Sequence, residues 1–296
     1  MPFIGELCGL LTAVCWSGSS IAFSAATLRI GPIRLNVTRL IFAAALLFVA
    51  VVITGGDIRL SSSQLRNLVL SGIIGLVIGD TFLFKSYEII GARMGMLIMS
   101  VAPAISALLA YVLLGEILGW IAALGMVVTL LGIAIVVLER RETITGSRRR
   151  HVEGIVFGFL AAAGQGAALV MAKMAFNEGP INGFVATLVR IVSSTIVIWP
   201  IAWIAGKYDN AYSIFKKDRK ALWLTLLGSF LGPFLGITLS LISVANTTVG
   251  IAATLMATVP ILMLPLVKYV QKDHISWRAI LGATIAVGGV AILFMR

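Results

Sequence analysis

Residues 75–86 read Gly-Leu-Val-Ile-Gly-Asp-Thr-Phe-Leu-Phe-Lys-Ser, and residues 232–243, which lie 157 positions later, read Gly-Pro-Phe-Leu-Gly-Ile-Thr-Leu-Ser-Leu-Ile-Ser. Both stretches have glycine at the first and fifth positions and serine at the last. The same offset continues without a gap through identical pairs: Met99 and Met256, Pro103 and Pro260, Trp120 and Trp277, Gly125 and Gly282, and Gly132 and Gly289. Glycine, proline and tryptophan are hard to match through shared hydrophobicity alone, so the pattern predicts an internal duplication.

The composition of the whole chain is that of a membrane protein. Of its 296 residues, 59% are hydrophobic and 12% are charged, and the mean hydropathy is +1.06. Soluble domains usually contain about 45–50% apolar and about 25% charged residues, because they need a charged surface. A membrane helix needs about 20 mostly apolar residues, so the chain has room for about ten helices with short connections.

Apolar runs between charged or turn-rich breaks predict ten membrane spans. They cover residues 4–27, 33–54, 67–90, 93–114, 119–138, 154–176, 182–205, 221–244, 248–270 and 278–295. We predict an all-α, polytopic membrane protein with one five-helix repeat in residues 1–140, a basic linker in 141–152 and a second repeat in 153–296. Because five is an odd number, the second repeat must enter the membrane in the opposite direction, as in the inverted repeats of many carriers.

The formal net charge of +11 comes mostly from the breaks between spans. Lysine and arginine concentrate after the first, third, fifth, seventh and ninth spans, and above all between residues 139 and 151. Positive residues favour the cytoplasmic side, so this pattern predicts cytoplasmic odd-numbered breaks and both termini outside. We interpret the charge as a topology signal and predict no nucleic-acid partner. The sequence leaves open whether the protein is a monomer or a homodimer.

Several short motifs, taken in order, resemble the drug/metabolite transporter superfamily and within it the EamA-type carriers. The first half carries Cys15-Trp16-Ser17-Gly18, Thr38-Arg39-Leu40, Val101-Ala102-Pro103 and Leu113-Leu114-Gly115-Glu116, followed by Gly125 and Gly132. The second half repeats Arg190, Pro260, Gly282 and Gly289, but has Gln165 where Trp16 would recur and Lys272-Asp273 where Gly115-Glu116 would recur. The resemblance covers essentially the whole chain. It implies an inner-membrane exporter of small metabolites, such as amino acids or drug-like compounds, without a cofactor.

Asp80 is the most informative ionisable residue, because it lies near the middle of the third predicted span. Charged side chains are costly to bury in a bilayer and usually serve a function there. The equivalent position in the second half is Ile237, so the acid breaks the symmetry of the duplication, as a ligand for a substrate amine or a proton carrier would. The alternative is a helix-packing acid paired with an arginine on a neighbouring span.

Five further residues are candidates for a substrate-binding site: Trp16, Gln165, Arg39, Arg190 and Tyr87. Membrane tryptophans prefer the interfaces, so a mid-span Trp16 suggests an apolar cavity wall, with ordinary packing as the alternative. Gln165 would be its polar counterpart. Arg39 and Arg190 lie about two turns into their spans and could bind a carboxylate or phosphate, or anchor a helix end. Tyr87 is a weaker candidate for the cavity.

Motifs of other membrane activities are missing from the sequence. It contains no G-x-x-x-x-G-K-[ST] motif, which argues against a nucleotide-driven pump. An intramembrane aspartyl protease needs two juxtaposed acids, but the other aspartates all fall in predicted loops, at Asp57, Asp209, Asp218 and Asp273. H-E-x-x-H is absent too, so we predict neither enzymatic activity nor a metal site.

We therefore expect a secondary transporter that works by alternating access. Helices bent at Pro103 and Pro260 would rock about a cavity where the halves meet. The expected partners are a small-molecule substrate and the lipid bilayer, with protons as a candidate coupling ion. A passive channel or a non-transport accessory membrane protein is the alternative, and a channel would differ in rate and saturability.

Overall fold

The computed structural model describes residues 3–138, 148–208, 216, 218–263 and 277–295, and these form helices joined by turns and short loops. The first half contains α1 (Ile4–Ile30), α2 (Pro32–Thr54), α3 (Ser62–Gly72), the π-helical segment π1 (Ile73–Gly79), α4 (Asp80–Met99), α5 (Ala102–Leu114) and α6 (Trp120–Leu138). The second half contains α7 (Arg148–Asn177), α8 (Gly183–Ile204), α9 (Arg219–Ser229), the π-helical segment π2 (Phe230–Gly236), α10 (Ile237–Asn246), α11 (Val249–Met256) and α12 (Trp277–Phe294).

Helices long and apolar enough to cross a membrane occupy seven stretches of the described residues. They are Ile4–Ile30, Pro32–Thr54, Ser62–Ala92, Met94–Leu114, Arg149–Asn177, Gly183–Ile204 and Arg219–Asn246. Three shorter apolar helices, Trp120–Ile135, Val249–Met263 and Ile280–Phe294, fall at the fifth, ninth and tenth predicted spans. The protein is therefore a multi-pass helical membrane protein. The count of ten spans stays a prediction, since residues 264–276, at the end of the ninth span, lie outside the described part.

Side chains are distributed as a lipid environment requires. On the outer surface Leu108 is 64% exposed, Ile196 66% and Val287 61%. Inside, the polar Asn36 and Thr187 are fully buried. Lipid can solvate apolar side chains but not polar ones, which therefore have to find partners within the helix bundle.

The duplication extends to the backbone geometry. π1 and π2 are related by the same 157 positions that align the two sequences. In each, the residue after the segment donates its backbone N–H to a carbonyl five positions earlier, Asp80 to Gly75 and Ile237 to Gly232. Single π-helical turns are rare in proteins, and those that occur often lie at functional sites. Both halves thus carry this irregularity at equivalent places.

α6 and α12, the fifth and tenth predicted spans, cross at their glycines. A Cβ on Gly132 would lie 2.4 Å from the backbone nitrogen of Ala286, and a Cβ on Gly289 would lie 2.4 Å from that of Thr129. Gly125 likewise faces the carbonyl oxygen of Gly289, which would be 3.0 Å from its Cβ. Only glycine permits backbones to approach this closely, so these helices join the halves along the packing face that the glycine spacing predicts.

The helices break where glycine and proline recur. α4 is interrupted at Gly91, whose φ of 77° is readily adopted only by glycine, and this break separates the third and fourth predicted spans. A turn at residues 100–101 precedes Pro103, and an equivalent turn at residues 257–258 precedes Pro260. Proline lacks an N–H and its ring crowds the carbonyl four residues earlier, which explains why both interruptions come just ahead of it.

Most helix ends lie within a few residues of the predicted ones, and two differ for identifiable reasons. α3 begins at Ser62, ahead of the predicted residue 67, because Ser61 and Gln64 form a capping box that hydropathy does not detect. α7 begins at Arg148, inside the segment 141–152 predicted as a basic linker. The preceding residues 139–147 lie outside the described part of the chain.

Candidate functional site

A cavity of about 110 Å³ lies between the two halves, and all six predicted site residues line it. Trp16, Arg39, Asp80 and Tyr87 come from the first half, and Gln165 and Arg190 from the second. One water molecule needs roughly 10–15 Å³ of accessible volume, so the cavity has room for a compact solute.

Asp80 is held by donors from both halves of the protein. Its Oδ2 accepts a hydrogen bond from Nη2 of Arg39 in a buried ion pair. Its Oδ1 accepts a hydrogen bond from Nε2 of Gln165 at 2.7 Å, and the same amide lies 3.4 Å from the carbonyl oxygen of Gly75. Both carboxylate oxygens therefore have partners. Asp80 is paired with an arginine of a neighbouring span, which is the geometry expected of a helix-packing acid.

Asn36 ties this ion pair to the backbone of π1. Its Oδ1 accepts hydrogen bonds from Nε of Arg39 at 3.0 Å and from Nη2 at 2.8 Å. Its Nδ2 donates to the carbonyl oxygen of Leu76 at 3.0 Å and to Oγ1 of Thr81 at 2.9 Å. Sequence reasoning missed Asn36. The available signal was a polar amide side chain inside a predicted span, one helical turn before Arg39 and therefore on the same helix face.

The faces of the Arg39 guanidinium are covered by aromatic rings. Its Cζ lies 4.8 Å from the ring centroid of Phe84 and 5.5 Å from that of Phe23. Desolvated cation–π contacts of this kind stabilise a buried cation. Together with Asp80 and Asn36 they give Arg39 hydrogen-bond partners at Nε and Nη2 and aromatic rings against its guanidinium. Neither phenylalanine could be chosen from the sequence, where both are ordinary span residues.

Arg190, on α8, has no such set of partners. It is only 2% exposed, and its Nε has no hydrogen-bond partner among the described residues. Within the same residues it forms no ion pair with a carboxylate. Two glycines leave the space that Arg190 occupies. A Cβ on Gly75 would lie 3.2 Å from Nη2 of Arg190, and a Cβ on Gly72 would lie 2.5 Å from the Arg190 carbonyl oxygen. The charged cavity-lining residues are thus two arginines and one aspartate, a net positive site.

Trp16 and Gln165 occupy matching places, each against the second glycine of the duplicated motif. A Cβ on Gly236 would lie 2.5 Å from Nε1 of Trp16, so the indole uses the space that glycine leaves. A Cβ on Gly79 would lie 3.7 Å from the backbone nitrogen of Gln165. The tryptophan presents an apolar wall and the glutamine a polar one, at equivalent positions of the two repeats.

Tyr87 belongs to the buried wall of the same cavity. Its hydroxyl lies 2.8 Å from Sδ of Met96 and 3.5 Å from Oγ of Ser20. Its ring centroid is 6.0 Å from that of Phe84, which also covers Arg39. Most of the remaining wall in this region is apolar, so the cavity combines a cationic patch with an aromatic and methionine surface.

At the end of the bundle where the chain begins, two charged side chains hold the junction between α10 and α11. Oε2 of Glu116 accepts a hydrogen bond from the backbone N–H of Val249 at 2.8 Å. Nζ of Lys173 donates to the carbonyl oxygens of Val244 at 2.9 Å and Thr247 at 3.0 Å. An acid at a helix N-terminus and a base at a helix C-terminus both complement the helix dipole. Glu116 therefore connects the first half to the ninth predicted span.

At the opposite end, Arg29 donates to Oδ2 of Asp218 at 2.6 Å and joins the end of α1 to the start of α9. Oδ1 of Asp218 also accepts a hydrogen bond from the backbone N–H of Ala221 at 2.9 Å. The Ala221 N–H and the Arg29 guanidinium hold the pKa of the Asp218 carboxyl below its ordinary value, since both stabilise the ionised form. Contacts between the halves thus exist at both ends of the cavity.

Comparisons with known proteins agree with this architecture. The profile of the EamA-like transporter family matches residues 3–138 and again residues 152–295, one match for each half. One solved structure, described only as the crystal structure of a protein, superposes with a TM-score of 0.76 at 18% sequence identity. The match covers 97% of this chain and 95% of that chain, and at this identity it shows the fold alone. Comparison with curated proteins gives no significant match.

Proposed function

The chain belongs to the EamA-like transporter family, whose members are membrane transporters of small molecules, and on that premise we propose that it is a secondary transporter of small metabolites working by alternating access. The substrate site is the cavity lined by Trp16, Arg39, Asp80, Tyr87, Gln165 and Arg190. By the family resemblance, the proposed direction is export, the proposed substrates include amino acids and drug-like compounds, and the proposed location is the inner membrane.

One observation carries this proposal: a cavity with a net-positive cluster of charged residues and a mostly apolar wall lies between two homologous halves. Carriers built from repeats bind substrate where the repeats meet, near the middle of the bilayer. Residues of both halves contribute to one hydrogen-bond network there, since Gln165 and Arg39 both donate to Asp80. A substrate that binds in this network contacts both halves at once, as a carrier requires.

The places where the halves could move against each other are also duplicated. The turns ahead of Pro103 and Pro260 interrupt equivalent spans, and residues on both sides of the first turn line the cavity. Contacts join the halves at each end of the bundle, including Glu116 with Val249 at one end and Arg29 with Asp218 at the other. Alternating access requires contacts at one end to form while those at the other end break.

Proton coupling is a separable part of the proposal, because the cavity contains one carboxylate, Asp80. Asp80 is held in an ion pair with Arg39, so a proton-carrying cycle would need this pair to open in another state of the transporter. If transport is instead independent of protons, the pair is a permanent link between α2 and α4. A pH gradient distinguishes the two arrangements.

The test is uptake by the purified full chain in liposomes, using a panel of labelled amino acids and metabolites with and without a pH gradient. We expect saturable uptake of one chemical class, and empty liposomes provide the control. Uptake that rises linearly with concentration at channel-like rates would favour the passive channel instead. A folded preparation that moves no member of the panel would contradict the transport proposal for these substrate classes.

A further inference from the structure

We propose that Arg190 is the binding group for an anionic moiety of the transported molecule, and that the substrates are compact organic anions with an apolar body. This inference rests on the proposed transport function and names the substrate class of the same cavity. It assigns different tasks to two arginines that the duplication relates to each other.

The first observation is the unsatisfied state of the Arg190 guanidinium. It is almost fully buried, lines the cavity, and has an Nε without a hydrogen-bond partner among the described residues. Arginine is charged at neutral pH, so Arg190 places a positive charge in the cavity. A buried guanidinium without an ion pair of its own is unfavourable, and a ligand that supplies an oxyanion would relieve that cost.

The second observation explains why Arg190 lacks a partner. In the first half, Arg39 pairs with Asp80, the residue that follows π1. In the second half, Arg190 corresponds to Arg39, and the residue that follows π2 is Ile237. The duplicated arginine is retained but its acid is replaced by an aliphatic side chain. An anion in the cavity would therefore occupy the role that Asp80 has in the first half.

In this structure Asp80 forms its ion pair with Arg39 and none with Arg190. One oxygen accepts from Arg39 and the other from Gln165. A guanidinium offers donors in a planar fork that matches a carboxylate or a phosphate oxygen pair. A bound oxyanion would bring the cavity from a net positive charge to two cations and two anions.

The remaining wall defines the rest of the ligand. Trp16, Phe84, Met96 and Met99 line the cavity together with Arg190, and their side chains offer apolar and polarisable surface. A ligand that satisfies both parts of the site has an oxyanion at one end and a small hydrophobic or aromatic body at the other. The cavity volume of about 110 Å³ has room for a compact body of this kind.

Benzoate, benzamide and phenyl phosphate test this proposal, because they share a small ring and differ in the charged group. We would measure the thermal unfolding of the purified full chain in detergent as each compound is titrated. Benzoate should stabilise the protein at a concentration about 10- to 100-fold lower than benzamide, the range expected for a charged hydrogen bond. Phenyl phosphate shows whether the site takes any oxyanion or selects the carboxylate, and stabilisation by either oxyanion at a lower concentration than benzamide supports the proposal.

Variants assign the preference to Arg190. Arg190→Gln should remove the preference for benzoate over benzamide, Arg190→Lys should keep part of it, and the exposed control Arg66→Gln should leave it unchanged. Stabilisation by benzamide equal to that by both oxyanions, stabilisation by none of the three compounds, or an oxyanion preference that survives in Arg190→Gln would overturn the proposal. The wild-type comparison needs no variant, so it decides the matter even if Arg190→Gln does not fold. Saturable liposome uptake of a neutral solute, without any preference for benzoate, would overturn the anion site and leave the transport function standing.

Discussion

Arg39 and Arg190 occupy related positions in the two halves. Of these two arginines, only Arg39 forms an ion pair with a carboxylate of the described residues. The difference follows from one substitution within the duplicated motif, where Asp80 in the first half corresponds to Ile237 in the second. Both of these positions line the same cavity. A nearly symmetric scaffold therefore encloses an asymmetric site, in which Arg39 is paired with an acid and Arg190 has no ion pair within the described residues.

Restoring the missing acid should cancel the anion preference of the cavity. The repeat relates Ile237 to Asp80, so Ile237→Asp should give Arg190 a carboxylate partner of its own. We expect the variant to lose at least about tenfold in its preference for benzoate over benzamide, since an internal anion now competes with the ligand. The neutral isostere Ile237→Asn is the matched control and should keep the preference. Loss of the preference in both variants would point to packing damage and not to charge.

The stability effects of removing Arg39 and Asp80 should not be additive. Arg39→Met or Asp80→Leu alone leaves a buried charge without its partner, at a cost of about 3–5 kcal/mol. The double variant removes both charges. We expect its loss of unfolding free energy to be smaller than the sum of the two single losses, and the difference to exceed about 1 kcal/mol. Denaturant or thermal unfolding of all four proteins in detergent gives this coupling. Additive single effects would show that the pair contributes nothing specific.

Two neighbouring glycines of α12 differ in how closely α6 approaches them, which allows a controlled test of the helix crossing. A Cβ on Gly289 would lie 2.4 Å from a backbone atom of Thr129, whereas a Cβ on Gly288 has nothing within 4 Å. Gly289→Ala should therefore force the helices apart and destabilise the fold by about 1–3 kcal/mol. Gly288→Ala should be neutral or stabilising, by up to about 1 kcal/mol, because alanine favours the helix. The two thermal unfolding midpoints measure the difference, and equal midpoints would argue against this close crossing.

Acid should weaken the contact between α1 and α9. The folded-state pKa of Asp218 is below its ordinary value, so its contribution to stability is fully present above the ordinary aspartate range and is lost as the pH falls through the lowered folded-state value. Wild type should thus lose stability relative to Asp218→Asn as the pH is lowered below about 4. Unfolding midpoints of both proteins between neutral and acidic pH test this. A constant difference over that range would show that the carboxylate carries no such role.

Much of the fold follows from the sequence because its signals are local or periodic. Apolar runs place the helices, and recurring Gly75, Gly79, Pro103 and Pro260 reveal the duplication at one offset. Two π-helical segments and two equivalent helix breaks then appear at that offset in the structure. The starting point of α3 was misplaced because its capping box lies in polar residues ahead of the apolar run.

The composition of the site was predictable, but its pairing was not. Intramembrane polar and charged residues are few, so Asp80, Arg39 and Arg190 stand out from the sequence. Which arginine pairs with the acid depends on the rotation of each helix, which a π-helical turn changes and which residue types do not reveal. Asn36 was overlooked for a related reason, since its role exists only through its contacts with Arg39 and with the backbone of π1. The binding role of the six cavity residues stays a prediction.

The most direct test of the proposed carrier is to fill the cavity and measure transport. Ser100 lines the cavity at the turn before Pro103, and Leu108 lies on the same span with its side chain 64% exposed on the outer surface. We would compare saturable uptake of the identified solute into liposomes by wild type, Ser100→Trp and Leu108→Trp. The account predicts that Ser100→Trp abolishes uptake while Leu108→Trp retains it. Uptake by a folded Ser100→Trp protein at the wild-type rate would contradict the claim that this cavity is the transport site.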